Sequence, residues 1–493
     1  MGSRPNAAPR VRKGLHPALR RLPANARSRR DSLVEMFSSA IAGDALPADL
    51  PLPSCRALAI EHGMSKNTVQ AAYERLLELG IVGVRPRSGY FVASPPRPRR
   101  DESPAAAQDP DIALGVPRPS ALPRVRHPVS WRDCPFPFVY NQTDPALFPI
   151  EAWRECSRLA LGRKGLPDLT ADDEAGDNPN LTSQLRKRLL AHRGISCAAD
   201  EIMVTLGTQN AIALVGLLLR NLAGAIAVED PGYPDARNAF ALTGNALVPV
   251  PVDPEGVRVD LVPAGCKLVY VTPSHQFPTS VTLSLDRRLA LLDAAQAQGF
   301  LIFEDDYEVD LEPAATVPTL RSLDRNGRVI YASSLSKTLS PGLRLGFMVA
   351  APSLIREARA LRHALLRHAP TPLQETAALF IGLGHYDAHL RRLRHAMDRR
   401  RQAMNEGIAE LLPALVPTPH HAGSSFWLTG PDGFDSALLA ESLFREGVII
   451  DPGRIFFYHQ NRANFFRLGF GAIRPDRIGP GLRLVSQAVR AML

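Results

Sequence analysis

Ser334-Leu335-Ser336-Lys337 sets two hydroxyls beside an amine, and Arg344 follows seven positions after the lysine. A lysine that forms a Schiff base with a carbonyl must present a neutral amine in a partly desolvated site. A phosphate anchor needs hydroxyls and a cation nearby. Upstream, Glu304-Asp305-Asp306-Tyr307 closes the apolar run 301–303. Carboxylates at the C-terminal end of a strand lie where ligands bind in α/β sheets. One of them facing a pyridinium nitrogen would keep it protonated and the ring an electron sink. Leu206-Gly207-Thr208-Gln209-Asn210 stands between an expected strand, Ile202–Thr205, and a long apolar helix. It can offer backbone N–H groups and a hydroxyl to a phosphate at the helix start. Read alone, Gly-Thr-Gln is an ordinary helix start and the acidic run an ordinary strand end.

A second polar set lies near the N-terminus and suits a different task. Ser65-Lys66-Asn67-Thr68 opens a helix, with Gln70 one turn on; Arg56 begins the helix before it. In a helix-turn-helix the second helix enters the major groove and its first residues face base edges. Arg56 is placed for a phosphate, and Arg85, Arg87 and Gly89 belong to a basic hairpin tip that could enter the neighbouring minor groove. Singly, each of these is also an ordinary solvated residue.

The elements that must position both sets are legible from periodicity. Leu33, Met36, Phe37, Ala40 and Ile41 follow helical spacing up to Gly43; a second helix is capped by Ser54 and a third by Ser65. Two apolar stretches, 81–84 and 90–92, form a hairpin around Arg85-Pro86-Arg87-Ser88-Gly89. Three helices and a basic hairpin describe a winged helix-turn-helix over 28–93. Residues 1–27, Arg-rich and without an acid, read as a flexible basic arm, a composition that transit peptides share. Nine prolines between 93 and 130, of 44 in the chain, mark 94–137 as a proline-rich linker. From 138 to 493, strand-like runs (225–228, Leu268–Val271, 301–303, 329–331) alternate with helices such as 286–298, which predicts an α/β domain with a mainly parallel sheet.

Charge divides the chain the same way. Residues 1–100 hold 17 Lys and Arg against 7 Asp and Glu, whereas the full 493 residues hold 58 against 49. The positive surplus therefore sits in the first fifth, the pattern of a polyanion-binding head on a neutral body. No apolar run is long enough to span a bilayer, and no secretory signal is recognisable. Five scattered cysteines without CxxC spacing argue against a zinc site or disulfide framework and suit a reducing cytoplasm.

In order along the chain, 52–59, 65–73 and 87–92 resemble the GntR-type winged helix. Cys55 stands where serine is usual. Glu229-Asp230-Pro231-Gly232-Tyr233, Thr272-Pro273-Ser274-His275-Gln276-Phe277-Pro278-Thr279, the acidic run to Tyr307, Ser336-Lys337 with Leu343-Arg344-Leu345-Gly346, and Phe466-Arg467-Leu468-Gly469-Phe470 resemble fold-type I aminotransferases that use pyridoxal 5′-phosphate. The fusion of the two is similar to the MocR/GabR-type transcriptional regulators. The resemblance implies that Lys337 carries the cofactor as a Schiff base, that Asp305 pairs with its ring nitrogen and Tyr307 with its phenolic oxygen, and that Tyr233 stacks on the ring. It implies Thr208, Gln209, Ser334, Ser336 and Arg344 around the phosphate and Arg467 on a ligand carboxylate. The sequence departs from the pattern at Asn141, Thr143, Phe277, 172–176 and Ser280.

The resulting expectation is a cytoplasmic, DNA-binding regulator that binds an operator in double-stranded DNA. It would sense an amine or amino-acid effector through the cofactor and act as a head-to-tail homodimer. The alternative is a working aminotransferase with an appended DNA-binding domain.

Overall fold

A computed structural model describes residues 16–19, 22, 28–43, 45–85, 88–93, 119–140, 142–171, 177–308, 310, 317–418 and 423–493. The chain divides into two compact units, Met1–Pro117 and Arg118–Leu493.

In the first unit, helix α1 (Arg29–Ala42) is capped by Ser28, α2 (Cys55–Glu61) by Ser54 and α3 (Lys66–Glu78) by Ser65, each serine side chain accepting a backbone N–H of the first turn. Strands β1 (Val82–Arg85) and β2 (Gly89–Val92) pair antiparallel, Val82 opposite Val92. Leu33, Met36, Phe37, Leu58, Val69, Tyr73 and Leu76 form the core beneath them. Tyr73 stacks on Tyr90 with ring centroids 4.1 Å apart and donates its hydroxyl to the Pro53 carbonyl at 2.7 Å, joining α3, the wing and the turn before α2. Of the expected flexible arm 1–27, residues 16–19 and 22 are among the described ones. Leu19 is buried in this core, and its carbonyl lies 3.0 Å from His62 Nε2.

The second unit opens with the short strand β3 (Phe136–Pro137). Its main sheet comprises β4 (Ile202–Thr205), β5 (Ile226–Asp230), β6 (Leu247–Asp253), β7 (Gly256–Val257), β8 (Leu268–Val271), β9 (Leu301–Asp305), β10 (Val329–Ser334) and β11 (Gly346–Val349). Their order is β4-β11-β10-β9-β8-β5-β6-β7, with only the pairings of β11 and β7 antiparallel. Helices cover both faces, so these strands read as continuous apolar runs. Strands β9 and β10 run beyond the expected 301–303 and 329–331, because their polar ends are buried and still paired: Ala332 sits opposite Asp305. A smaller antiparallel sheet joins β12 (Val416–Pro417), β13 (Ser425–Thr429), β16 (Phe465–Gly469) and β15 (Asp451–Pro452), while β14 (Val448–Ile449) pairs with β3.

The expected linker 94–137 is not one element. Residues 94–118 lie outside the described residues, but 119–137 pack on the second unit. Asn238 Nδ2 donates to the Pro123 carbonyl at 2.7 Å, Val125 joins an aromatic cluster, and β3 completes a strand pair. Proline content sets stiffness; the apolar and aromatic residues between the prolines decide whether the segment finds a surface. Among the described residues no helix is long and apolar enough to cross a membrane, and no group of three or more His, Cys, Asp or Glu could hold a metal ion.

Candidate functional site

Strands β4, β5, β8, β9 and β10 all end on one side of the main sheet, and the chain leaving each end contributes to one cavity. Thr208 and Gln209 come from the helix start after β4, and Tyr233 follows β5. Tyr270 and Thr272 come from β8 and its exit, Asp305 and Tyr307 from β9, and Ser334, Ser336 and Lys337 from β10; Arg344 precedes β11. Tyr140 and Phe277 close the aromatic side. Lys337, Asp305, Tyr307, Tyr233, Thr208, Gln209, Ser334, Ser336 and Arg344 thus share one space.

Two glycines allow the loops to meet. Gly207 takes φ +83°, and a Cβ there would lie 3.1 Å from Arg344 Nη2. A Cβ on Gly346 would lie 2.8 Å from both the Gly207 Cα and the Ser333 carbonyl oxygen, closer than side chains tolerate. Backbone therefore packs on backbone here. Arg344, itself left-handed at φ +48°, donates Nη2 to the Leu206 carbonyl at 2.9 Å and caps the loop before the helix Thr208–Leu219.

The cavity's electrostatics are set by burial. Burial lowers the Lys337 amine to about 8; the Glu308 carboxylate opposes this, the Arg467 guanidinium adds to it, and Asp305 opposes it. Its Nζ lies 4.5 Å from the Tyr140 ring centroid and 5.3 Å from that of Tyr307. Asp305 moves the other way, up to about 7, because it is buried and beside Asp306; a hydrogen bond from the Tyr270 hydroxyl at 2.8 Å and the Lys337 charge hold it back. Burial keeps the phenols of Tyr233 and Tyr307 protonated, with pKa values well above their ordinary range. Glu229, raised to about 7 by burial, accepts from Thr272 N, Thr272 Oγ1 and Gln276 Nε2 and braces the loop that carries Phe277.

Two buried polar atoms in the cavity have no hydrogen-bond partner: Asp305 Oδ1 and Ser336 Oγ. Buried polar groups are normally paired, so these mark places that a ligand would satisfy. The donor set fits a group with a reactive carbonyl, a basic ring nitrogen and an anion. A buried amine stands for the first, a carboxyl oxygen for the second, and hydroxyls with a guanidinium for the third.

Arg467 lies against the two rings that close the aromatic side. It is 2 % exposed, its guanidinium carbon lies 5.0 Å from the Tyr140 ring centroid and 4.9 Å from that of Phe277, and its Nε and Nη1 make no hydrogen bond. A second cavity reaches Lys337 and is lined by Gln142, Thr143, Glu308 and Ser424 among others. Glu308 is held ionised, below the ordinary carboxylate range, although burial opposes this; Lys337, His275, hydrogen bonds from Ser424 and Arg467 outweigh it.

Tyr140, Tyr270 and Glu308 were not singled out from the sequence, and Thr272, which opens a quoted block, carried no implied role. Tyr270 sits within an apolar strand and reads as core; Glu308 is one residue past a motif already counted. Of the departures, Ser280 holds φ +63°, the backbone region that makes glycine usual there, and Thr143 lines the second cavity. Asn141 and 172–176 lie outside the described residues.

On the first unit, Arg56, Lys66, Asn67, Gln70 and Gly89 are exposed. Ser65 and Thr68 are joined in the cap of α3, Oγ to Oγ1 at 2.8 Å. Gln70 donates to Glu74 at 3.1 Å. Arg85 pairs with Asp49 and lies over the Phe91 ring at 4.5 Å, and Arg87 is outside the described residues.

Comparison with known proteins covers both units. Residues 30–92 match the family of bacterial regulatory proteins of the gntR family, and 175–478 match aminotransferase class I and II. The chain is 40% identical to the HTH-type transcriptional regulator TauR of Rhodobacter capsulatus, over 89% of this chain and 92% of that one. It is 29% identical to the probable rhizopine catabolism regulatory protein MocR of Rhizobium meliloti, over 93% of each. The crystal structure of Pyrococcus horikoshii kynurenine aminotransferase in complex with PMP superposes with a TM-score of 0.70 at 27% identity, covering 78% of this chain and 98% of that one.

Proposed function

The chain belongs to the MocR/TauR-type transcriptional regulators, in which a GntR winged helix precedes an aminotransferase class I/II domain, and we propose that it binds pyridoxal 5′-phosphate at Lys337 and senses an amine or amino acid there. The observation that carries this reading is the buried, pKa-lowered Lys337 amine sharing one cavity with the unpartnered Asp305 Oδ1 and a cluster of hydroxyls and a guanidinium.

When bound, the cofactor supplies an electrophilic aldehyde and an electron-withdrawing ring. The residues around it divide the work. Burial keeps a fraction of Lys337 neutral at physiological pH, so it can bond covalently. Asp305 would hold the ring nitrogen, and Tyr270 fixes its Oδ2. Tyr307 would hold the phenolic oxygen, and Tyr233 and Phe277 would hold the ring. Thr208, Gln209, Ser334, Ser336 and Arg344 hold the phosphate, beside the Thr208–Leu219 helix start. Arg467 receives a ligand carboxylate, the planar bidentate recognition that suits arginine.

On the DNA side, Lys66, Asn67 and Gln70 read the major groove, and Arg56, Arg85 and Arg87 contact phosphates or the minor groove. Ser65 and Thr68 set the start of the reading helix, and Gly89 shapes the wing. Two chains pair head to tail and so present two winged helices. A bound effector acts by its differential affinity for two arrangements of that assembly.

The test is the visible absorbance spectrum of the purified protein, compared with Lys337→Ala and titrated with amines and amino acids. The reading expects a band that the variant lacks and that particular amines shift without sustained turnover. Sustained keto-acid production would favour the aminotransferase alternative, which Lys337, Asp305 and Arg467 permit chemically. Absence of any band with added cofactor would overturn both.

A further inference from the structure

Arg467 lies opposite Asp451 in the register between β16 and β15, and the guanidinium Nη1 is 3.8 Å from Asp451 Oδ2. That distance makes an ion pair but no hydrogen bond, and both Oδ2 and Nη1 are otherwise unpartnered. The other carboxylate oxygen, Oδ1, accepts from His127 Nε2 at 2.9 Å. Asp451 is 2 % exposed, His127 12 %. A buried carboxylate requires cations or donors around it, and here they come from two places: the arginine of the ligand site and a histidine 324 residues away in sequence.

His127 belongs to the strap 119–133, the stretch between the undescribed 94–118 and the body of the second unit. The strap is also held by Asn238 on the Pro123 carbonyl, and its Val125 packs against the cluster of Phe277 and Trp427. Phe277 is the ring over which Arg467 lies.

We propose that Asp451 and His127 are positioning residues for Arg467 and form a latch through which a ligand carboxylate is felt by the strap that leads to the winged helix. The inference rests on Arg467 taking a carboxylate. The sign follows from charge. His127 satisfies Asp451 and leaves Arg467 free to bind a second anion. A ligand carboxylate draws Arg467 away from Asp451 and makes Asp451 depend more on His127, which tightens the strap. By linkage the effect is reciprocal.

The experiment uses full-length protein loaded with pyridoxal phosphate and two probes that differ by a carboxylate, β-alanine and propylamine, each titrated by the visible band. His127→Ala should raise the half-saturating concentration of β-alanine at least about fivefold, the lower end of measured couplings. It should leave propylamine unchanged and have no effect in an Asp451→Asn background. β-Alanine should slow hydrogen exchange over 119–133 in the wild type but not in Asp451→Asn, an isosteric change. The latch is overturned if β-alanine binds no better than propylamine, if His127→Ala weakens both probes alike, or if its effect survives in Asp451→Asn. A wild-type protein with no visible band contradicts the cofactor reading instead. Exchange over 119–133 then decides the latch alone: faster and non-additive in His127→Ala, Asp451→Asn and their double variant sustains it, unchanged overturns it.

Discussion

The Lys337 amine answers to opposed charges: Glu308 and Asp305 favour its ammonium form, while burial and Arg467 favour the neutral one and prevail, at about 8. Its labelling in the cofactor-free protein by an amine-reactive reagent should therefore rise through a midpoint near pH 8. Glu308→Gln removes the largest stabiliser of the ammonium and should move that midpoint down. An unchanged midpoint would mean the carboxylate does not reach the amine. The stability sign follows. The folded value lies below the ordinary 10.5, so this group's contribution is full above 10.5 and lost as pH falls through about 8. At this scale the sequence was most readable where residues cluster in one short run, as Ser334, Ser336 and Lys337 do. It was silent on Asp451 and His127, whose meeting is made only by the fold.

At the level of elements, the cavity depends on strand ends converging and on loops lying against each other without side chains between them. Gly346→Ala introduces a Cβ 2.8 Å from the Gly207 Cα and should push β11 off the Gly207 loop. We expect at least tenfold weaker binding of pyridoxal phosphate and about 1–3 kcal/mol lost stability, the usual range for overpacking. Equal cofactor affinity in the variant would contradict the loop contact. In the winged helix the cap and the reading residues are separable. Ser65→Ala removes an N-cap and should cost about 1 kcal/mol of stability. Exposed Lys66→Ala should leave melting unchanged but reduce the salt dependence of DNA binding by about one phosphate contact. Helix boundaries in this unit followed directly from serine caps and 3.6-residue periodicity. The proline-rich segment was harder, because composition averages over the few residues, Val125 and His127 among them, that attach it.

Across the whole molecule, the positive surplus in the first hundred residues and the neutral aminotransferase-like body mark two units of different character: a gntR-family winged helix and an aminotransferase class I and II domain. That organisation was legible from charge and motif order before any contact was known, since two modules each carry their own punctuation. The cavity itself is lined by side chains from distant elements and needed the fold. In the proposed reading the two units are coupled through the cofactor site. The deciding measurement is the affinity of the full-length protein for a DNA fragment selected from a random pool, read by fluorescence anisotropy. It would be made with and without amines that shift the visible band, in the wild type and in Lys337→Ala. We predict that such an amine changes wild-type DNA affinity at least about fivefold and leaves Lys337→Ala unaffected. DNA affinity indifferent to the amine, or changed equally in the variant, would contradict the account.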